Sequence, residues 1–105
     1  MTNLDNRLLF HQELVSILGS NNVYFQPPES LKIHYPCIIY SLETIDRRSA
    51  NDNGYIYNHR YQVLYIDEDP DSDIVEALVR YPKSNFSRYY VSDNLNHYAF
   101  QIYYK

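Results

Sequence analysis

The first candidate for chemistry in this chain is a run of four aspartates at every second position: Asp67, Asp69, Asp71 and Asp73. Alternating carboxylates of this kind are found in the calcium-binding loops of EF-hand proteins. Such a loop needs glycine at its sixth position and a bidentate glutamate at its twelfth, where this chain has Ser72 and Leu78. We therefore predict no metal site here and interpret the acids as residues that favour the start of the helix that follows.

The other reactive residue types are scattered along the chain. No two of the histidines have the i, i+3 or i, i+4 spacing of a helical zinc site; they are His11, His34, His59 and His97. The single cysteine, Cys37, has no adjacent Lys, Arg or helix N-terminus to lower its pKa and is expected to be a buried, inert thiol. With two glycines in all and no nucleophile elbow, we predict no catalytic, cofactor-binding or metal-binding residues and no enzyme activity.

Two alternatives are left open by the charged residues. His59 and Arg60, together with Arg47 and Arg48, have the residue types of a small ribonuclease, with a histidine base and arginines that stabilise phosphate charge. The acidic turn at 67–73 could instead mimic phosphate charge towards a basic partner, as in an inhibitor or immunity-type binding module.

Composition limits the class of protein. A chain of 105 residues, 45% hydrophobic and 21% charged, fits one globular domain spanning residues 1–105. A single cysteine excludes an internal disulfide framework, and neither a signal peptide nor a membrane-spanning run is evident, so we expect a soluble protein made in a reducing cytosol. The net charge of −4 argues against tight binding of nucleic acid.

Apolar periodicity predicts the elements of the first half. Residues 4–18 have a helical pattern, for which we predict Leu4, Leu8, Val15 and Leu18 on the buried face, with Leu14 beside them. A short strand at 23–25 and a longer one at 33–45 follow. The polar run 46–58, which contains Asn53-Gly54, is predicted to be a long exposed hairpin loop.

The pattern of the second half predicts three more strands and one helix. A strand that begins at Tyr55 or His59 and ends at Asp67 should pair antiparallel with the preceding strand. A short helix follows, capped by Asp71 or Ser72 with a capping box at Asp73 and Glu76, and ends before Pro82. Strands at 86–91 and 98–104 close a hairpin around 93–96. The predicted fold is α+β, a mostly antiparallel sheet flanked by an N-terminal helix and a second short helix.

Several segments together resemble a known family. They are YFQPP at 24–28, YPCIIY at 35–40, the polar ANDN at 50–53, YQV at 61–63, ID at 66–67 with DPDS at 69–72, and the closing SDNLNHYAFQIYY. This series, which covers nearly the whole chain, resembles the small tail-terminator or tail-completion proteins at the head–tail junction of long-tailed bacteriophages.

The resemblance implies a structural virion protein without catalysis or cofactor. Its subunits would form a homohexameric ring that caps the tail-tube protein and docks to a head-completion or neck protein. DNA would pass through the ring without tight binding, and no membrane would be involved. Localisation would be the virion tail or neck, after assembly in the bacterial host cytoplasm.

The loop at 46–58 and the acidic turn at 67–73 are the predicted contacts between ring subunits. Basic residues on one subunit could face aspartates on the next, while tyrosines supply apolar contact area. The candidate interface residues are Arg47, Arg48, Asp52, Tyr55, Tyr57, Asp69, Asp71 and Asp73.

Overall fold

The computed structural model of the protein describes residues 3–49 and 55–104. Its elements in chain order are α1 (Asn3–Leu18), β1 (Val23–Phe25), β2 (Cys37–Ser49), β3 (Tyr55–Asp67), α2 (Ile74–Arg80), β4 (Ser84–Ser92) and β5 (Leu95–Tyr104). The strands form one sheet in the order β1-β2-β3-β5-β4, in which only the β1–β2 pair is parallel. This is the predicted α+β fold with an N-terminal helix.

Helix α1 buries a face that begins with Phe10. Phe10, Leu14 and Leu18 follow each other at i, i+4 spacing and are 0%, 0% and 8% exposed. The prediction that Leu4 and Leu8 belong to this face is wrong, since they are 55% and 44% exposed. The helix rotates by about 100° per residue, so the stripe through Leu4 and Leu8 lies well to one side of the stripe through Phe10 and Leu14.

Tyrosine supplies much of the core between α1 and the sheet. Tyr40 of β2 and Tyr61 of β3 are 1% and 4% exposed, and their rings lie 5.5 Å and 5.0 Å from the ring of Phe10. Tyr65, further along β3, is fully buried. The predicted face of Tyr61, Val63 and Tyr65 is thereby confirmed, and it is the face that the helix covers.

Burial raises the pKa of Tyr40, Tyr61 and Tyr65 above the ordinary tyrosine value of about 10, because a buried phenolate loses its hydration. The unfolded chain therefore ionises first as the pH rises. Below pH 10 this difference has no effect on stability. Above pH 10, each buried tyrosine should lower the free energy of unfolding by up to about 1.4 kcal/mol per pH unit. Urea unfolding measured from pH 8 to pH 11 checks this expectation.

Tyr61→Phe is the matched variant for the alkaline experiment. It removes one buried phenol that donates no hydrogen bond among the described residues, so the loss of stability above pH 10 should become shallower while stability at pH 8 changes little. An unchanged slope for Tyr61→Phe would contradict this origin of the pH dependence.

The hairpin formed by β2 and β3 is more regular than predicted. β2 begins at Cys37 rather than at residue 33 and continues to Ser49, while β3 begins at Tyr55. Much of the predicted loop is therefore paired strand, because the Tyr55-Ile56-Tyr57 sequence is strongly strand-forming. The predicted turn at Asn53-Gly54 lies outside the described residues.

The last hairpin turns through two residues rather than four. Asp93 and Asn94 have φ angles of +54° and +63°, as a two-residue type I′ turn requires. Asp and Asn adopt this left-handed conformation more readily than other residues with side chains, so β4 and β5 can continue right up to the turn.

Among the described residues, no helix is long and apolar enough to cross a membrane.

Candidate subunit interface

The hairpin of β2 and β3 projects beyond the rest of the sheet. Among the described residues, β5 accompanies β3 only as far as the pair His59–Tyr104. Four further residue pairs of β2 and β3 extend past this point, from Asp46–Asn58 to Ser49–Tyr55. At about 3.4 Å per residue this projecting segment, which we call the arm (46–49 and 55–58), is about 14 Å long.

The arm carries four of the predicted interface residues. Arg47 lies opposite Tyr57 on the neighbouring strand, Arg48 lies opposite Ile56, and Tyr55 lies opposite Ser49. Arg47 is exposed. Asp52 lies outside the described residues. The structure therefore places these candidates on paired strands, where the backbone fixes their spacing.

The acidic turn is held together by its own carboxylates. Asp67 is 9% exposed, and its Oδ1 accepts a hydrogen bond from the backbone N–H of Asp69 at 2.9 Å. Asp69 Oδ1 in turn accepts from the N–H of Asp71 at 2.9 Å. The hydroxyl of Tyr65 donates to Oδ2 of Asp67, and the Ser72 hydroxyl lies 2.8 Å from the same phenol oxygen. These are successive Asx turns, a common use of aspartate in loops.

Helix capping does not account for the aspartates, contrary to prediction. The N-cap of α2 is Asp73 rather than Asp71 or Ser72, and Asp73 makes no side-chain capping hydrogen bond. Its φ and ψ of −68° and −16° are helical, whereas a capping side chain usually needs an extended backbone at that residue. Only Ser72 approaches the role, since its Oγ accepts from the N–H of Ile74 at 3.3 Å.

Neighbouring side chains anchor the acidic turn to the sheet. The amide of Asn96 donates to the carbonyl oxygens of Asp67 and Glu68 at 3.1 and 3.2 Å. Tyr98 donates to the carbonyl of Pro70 at 3.0 Å, and Tyr89 donates to Oδ1 of Asn96 at 2.7 Å. The side chains of Asp69, Asp71 and Asp73 are exposed on this fixed backbone.

Asp67→Ala should lower the free energy of unfolding by about 1–3 kcal/mol, because the Asp69 N–H loses its acceptor and the Tyr65 hydroxyl keeps only Ser72 as a partner. Asp71→Ala is the control. Asp71 is exposed and its carboxylate accepts no hydrogen bond among the described residues, so the change should stay within about 0.5 kcal/mol. Urea unfolding at pH 7 separates the two variants, and equal effects would contradict the structural role assigned to Asp67.

The arm and the acidic turn lie at opposite ends of one strand. β3 runs from Tyr55 in the arm to Asp67 at the turn, a length of about 40 Å at 3.4 Å per residue. The whole molecule measures 51 × 25 × 22 Å. The two predicted contact regions are therefore not brought together within one subunit, and each is presented at a different end of an elongated molecule.

Sequence reasoning missed an exposed apolar row on β4. Phe86, Tyr89 and Val91 are 52%, 48% and 59% exposed on the edge strand of the sheet. Phe86 packs against Phe100 and Tyr89 against Tyr98, with ring centroids 5.5 and 5.0 Å apart. The signal in the sequence was a strand pattern with large apolar residues and no proline. The position of the strand at an edge could not be read from it.

The residues considered for catalysis are used elsewhere. Adjacent strand residues point to opposite faces of a sheet. His59 is 8% exposed and stacks with Tyr61, while Arg60 donates to the Tyr103 hydroxyl at 3.2 Å and lies 3.3 Å from Glu43. The two side chains do not form one phosphate site.

Cys37 and the described residues of types that could bind a metal do not form a site together. Cys37 is fully buried, as expected, and burial raises the pKa of its thiol to about 12. In the ranges that the structure describes, no three His, Cys, Asp or Glu side chains are grouped to hold a metal.

A scan of the sequence against protein-family models gives no match, and a search among curated proteins gives none either.

Proposed function

We propose that this chain is the subunit of a ring that terminates the tail tube of a long-tailed bacteriophage and joins it to the head or neck. The observation that carries the proposal is the separation of two unlike regions of the molecule. The arm with its arginines lies at one end of β3 and the anchored acidic turn lies about 40 Å away at the other. Their charges are opposite in sign.

Unlike surfaces at separate ends favour head-to-tail association. A ring closes through heterologous contacts, in which one surface of a subunit meets a different surface of the next. Tyr89 on the β4 edge is of a type enriched among the interface residues that contribute most to binding, and the exposed Phe86 and Val91 on the same strand would add apolar contact area. The likeness to tail-terminator proteins supplies the number of six subunits, the tail-tube and neck partners, and a lumen through which DNA passes without tight binding.

Light scattering coupled to size exclusion tests the ring directly. Six copies of a 12.6 kDa chain give a particle of about 76 kDa. We expect this mass for the protein alone or, if the ring closes only on its support, after addition of assembled tail tubes. A single-chain mass under both conditions would contradict the proposal.

Reversing the charge of the arm tests which surfaces meet. Arg47→Glu with Arg48→Glu should weaken the ring by roughly tenfold in dissociation constant, more strongly at low salt, because like charges then face each other across the contact. Adding Asp69→Lys and Asp71→Lys to the same chain should restore assembly. Sedimentation at 0.05 and 0.5 M salt measures both effects.

The matched control reverses two basic residues away from the arm. Lys32 is exposed in the segment between β1 and β2, and Arg80 lies at the end of α2, where it pairs only weakly with Glu76 at 3.8 Å. Lys32→Glu with Arg80→Glu changes the net charge by the same amount and should leave assembly unchanged. Equal weakening by both pairs of substitutions would show a net-charge effect and would remove the arm–turn contact from the proposal.

A further inference from the structure

A pocket of about 360 Å³ opens between α1 and the segment that follows α2. Its walls are largely apolar and aromatic, and a single carboxylate, Glu13, lies among them. The main lining residues are Leu9, Glu13, Tyr81, Pro82, Lys83 and Tyr104. A volume of this size is sufficient for one small ligand group or one large side chain.

The Glu13 carboxylate is held in a fixed position by two tyrosines. Tyr81 donates its hydroxyl to Oε1 at 3.0 Å, and Tyr104 donates to Oε2 at 2.7 Å. Both rings also pack on the buried Phe10, with centroid distances of 6.0 and 4.9 Å. The orientation of the carboxylate is thereby fixed before any partner arrives, which reduces the cost of ordering it on binding.

The negative charge of Glu13 has no counterion in the described part of the chain. Its two partners are neutral hydroxyls, and within 3–49 and 55–104 no Lys, Arg or His nitrogen lies within 4.0 Å of it. Each carboxylate oxygen accepts only one hydrogen bond from them, which leaves acceptor capacity directed to an incoming group. Burial, and then the bond to Glu13, raises the pKa of Tyr104 to about 12, so its hydroxyl stays a donor well into the alkaline range.

We propose that this pocket binds an arginine side chain presented by a second protein chain. A guanidinium donates in pairs to a carboxylate, stacks on aromatic rings, and gives up its hydration more readily than an ammonium group does. The pocket matches each of these properties. Glu13 accepts the paired donors, the rings of Tyr81 and Tyr104 offer stacking surfaces, and the apolar wall favours a weakly hydrated group. Lys83 borders the same pocket, and its positive charge should oppose the ligand.

The test is a titration of the full chain with N-acetyl-arginine amide, followed by NMR chemical shifts. We expect saturable binding with a dissociation constant on the order of millimolar, centred on residues that line the pocket. N-acetyl-citrulline amide has nearly the same shape without the charge and should not bind at the same concentration. The lysine amide should bind more weakly than the arginine amide.

Variants separate this site from general attraction to an acidic protein. Glu13→Gln should weaken binding roughly tenfold, because it removes the charge from the hydrogen-bonding group. Glu29→Gln, an exposed acid in the segment before β2, removes the same charge elsewhere and should leave binding unchanged. Lys83→Ala should strengthen binding.

Three results would overturn the proposal. These are equal binding of the citrulline amide, equal weakening by Glu13→Gln and Glu29→Gln, and binding that appears only in Lys83→Ala, which would make Lys83 the occupant. Equal binding of the lysine amide would overturn the assignment to arginine. Urea unfolding of Glu13→Gln establishes that the variant is folded. Binding of the arginine amide is also measured for Glu13→Asp, which keeps the charge but draws the carboxylate back from the tyrosines.

Discussion

Replacing Phe10 by alanine should lower the free energy of unfolding by about 3–5 kcal/mol, a large share of the stability of a domain of this size. Phe10 is fully buried and lies between the helix and the sheet. Its ring is within 6.0 Å of the rings of Tyr40, Tyr61, Tyr81 and Tyr104. Truncation would leave a cavity bounded by rigid aromatic rings, which cannot easily collapse into it. Urea unfolding at pH 7 measures the loss.

Leu8→Ala is the matched control for Phe10→Ala on the same helix. Leu8 is 44% exposed, so its truncation should change stability by no more than about 0.5 kcal/mol. The comparison also tests the rotation of α1 about its axis. A loss at Leu8 as large as the loss at Phe10 would contradict the buried face described for this helix.

Removing the arm should reduce the ring to single chains. Ile45 and His59 lie opposite each other on β2 and β3, so residues 46–58 can be replaced by a two-residue Asn-Gly turn that closes the hairpin at this pair. Among the side chains that the structure describes, none of the arm belongs to the core cluster, and we expect the shortened chain to fold with nearly unchanged stability. Light scattering should then show a single-chain mass in place of about 76 kDa, six times 12.6 kDa.

The folding of the shortened chain can be checked separately from its assembly, and one assembly result would contradict the prediction. Circular dichroism and urea unfolding establish that its sheet is intact. A folded, shortened chain that still assembles to six copies would show that the arm makes no essential contact, and the contact surface would then have to be sought on the β4 edge around Phe86 and Tyr89.

Local patterns in the sequence were sufficient to predict the kinds of elements and much of the sheet. Tyr61, Val63 and Tyr65 occupy every second position of the strand, and this alternation placed them on one face, as the structure confirms. The rotation of α1 was harder to predict, because leucines occur on both flanks of the helix. The choice between the Leu4–Leu8 stripe and the Phe10–Leu14 stripe depends on how the helix docks on the sheet, which no local pattern contains.

The acidic turn shows that the role of a residue can be predicted wrongly even when the adjoining helix is predicted correctly. Aspartate before a helix is often a capping residue, and the helix does follow. However, Asp67 and Asp69 close Asx turns instead, and Asp67 is further fixed by Tyr65 from the adjoining strand. This depends on the direction in which the chain leaves β3, and local propensity does not specify it.

The proposed contact surfaces were predictable only in part. Polar composition predicted an exposed loop at 46–58, whereas strand pairing extends through most of this segment. The Glu13 pocket joins residues far apart in the chain, for example Glu13 and Tyr104. Contacts of that kind appear only once the topology has placed α1 beside the end of β5.

Electron microscopy of lysates from host cells infected with a phage that lacks this chain is the most direct test of the proposed function. If the chain terminates the tail tube and joins it to the head, tails should be of abnormal length and unattached, and heads should be free. Supplying the intact chain should restore joined particles, while the chain with residues 46–58 replaced should not. Tails of normal length properly joined to heads in its absence would contradict the account.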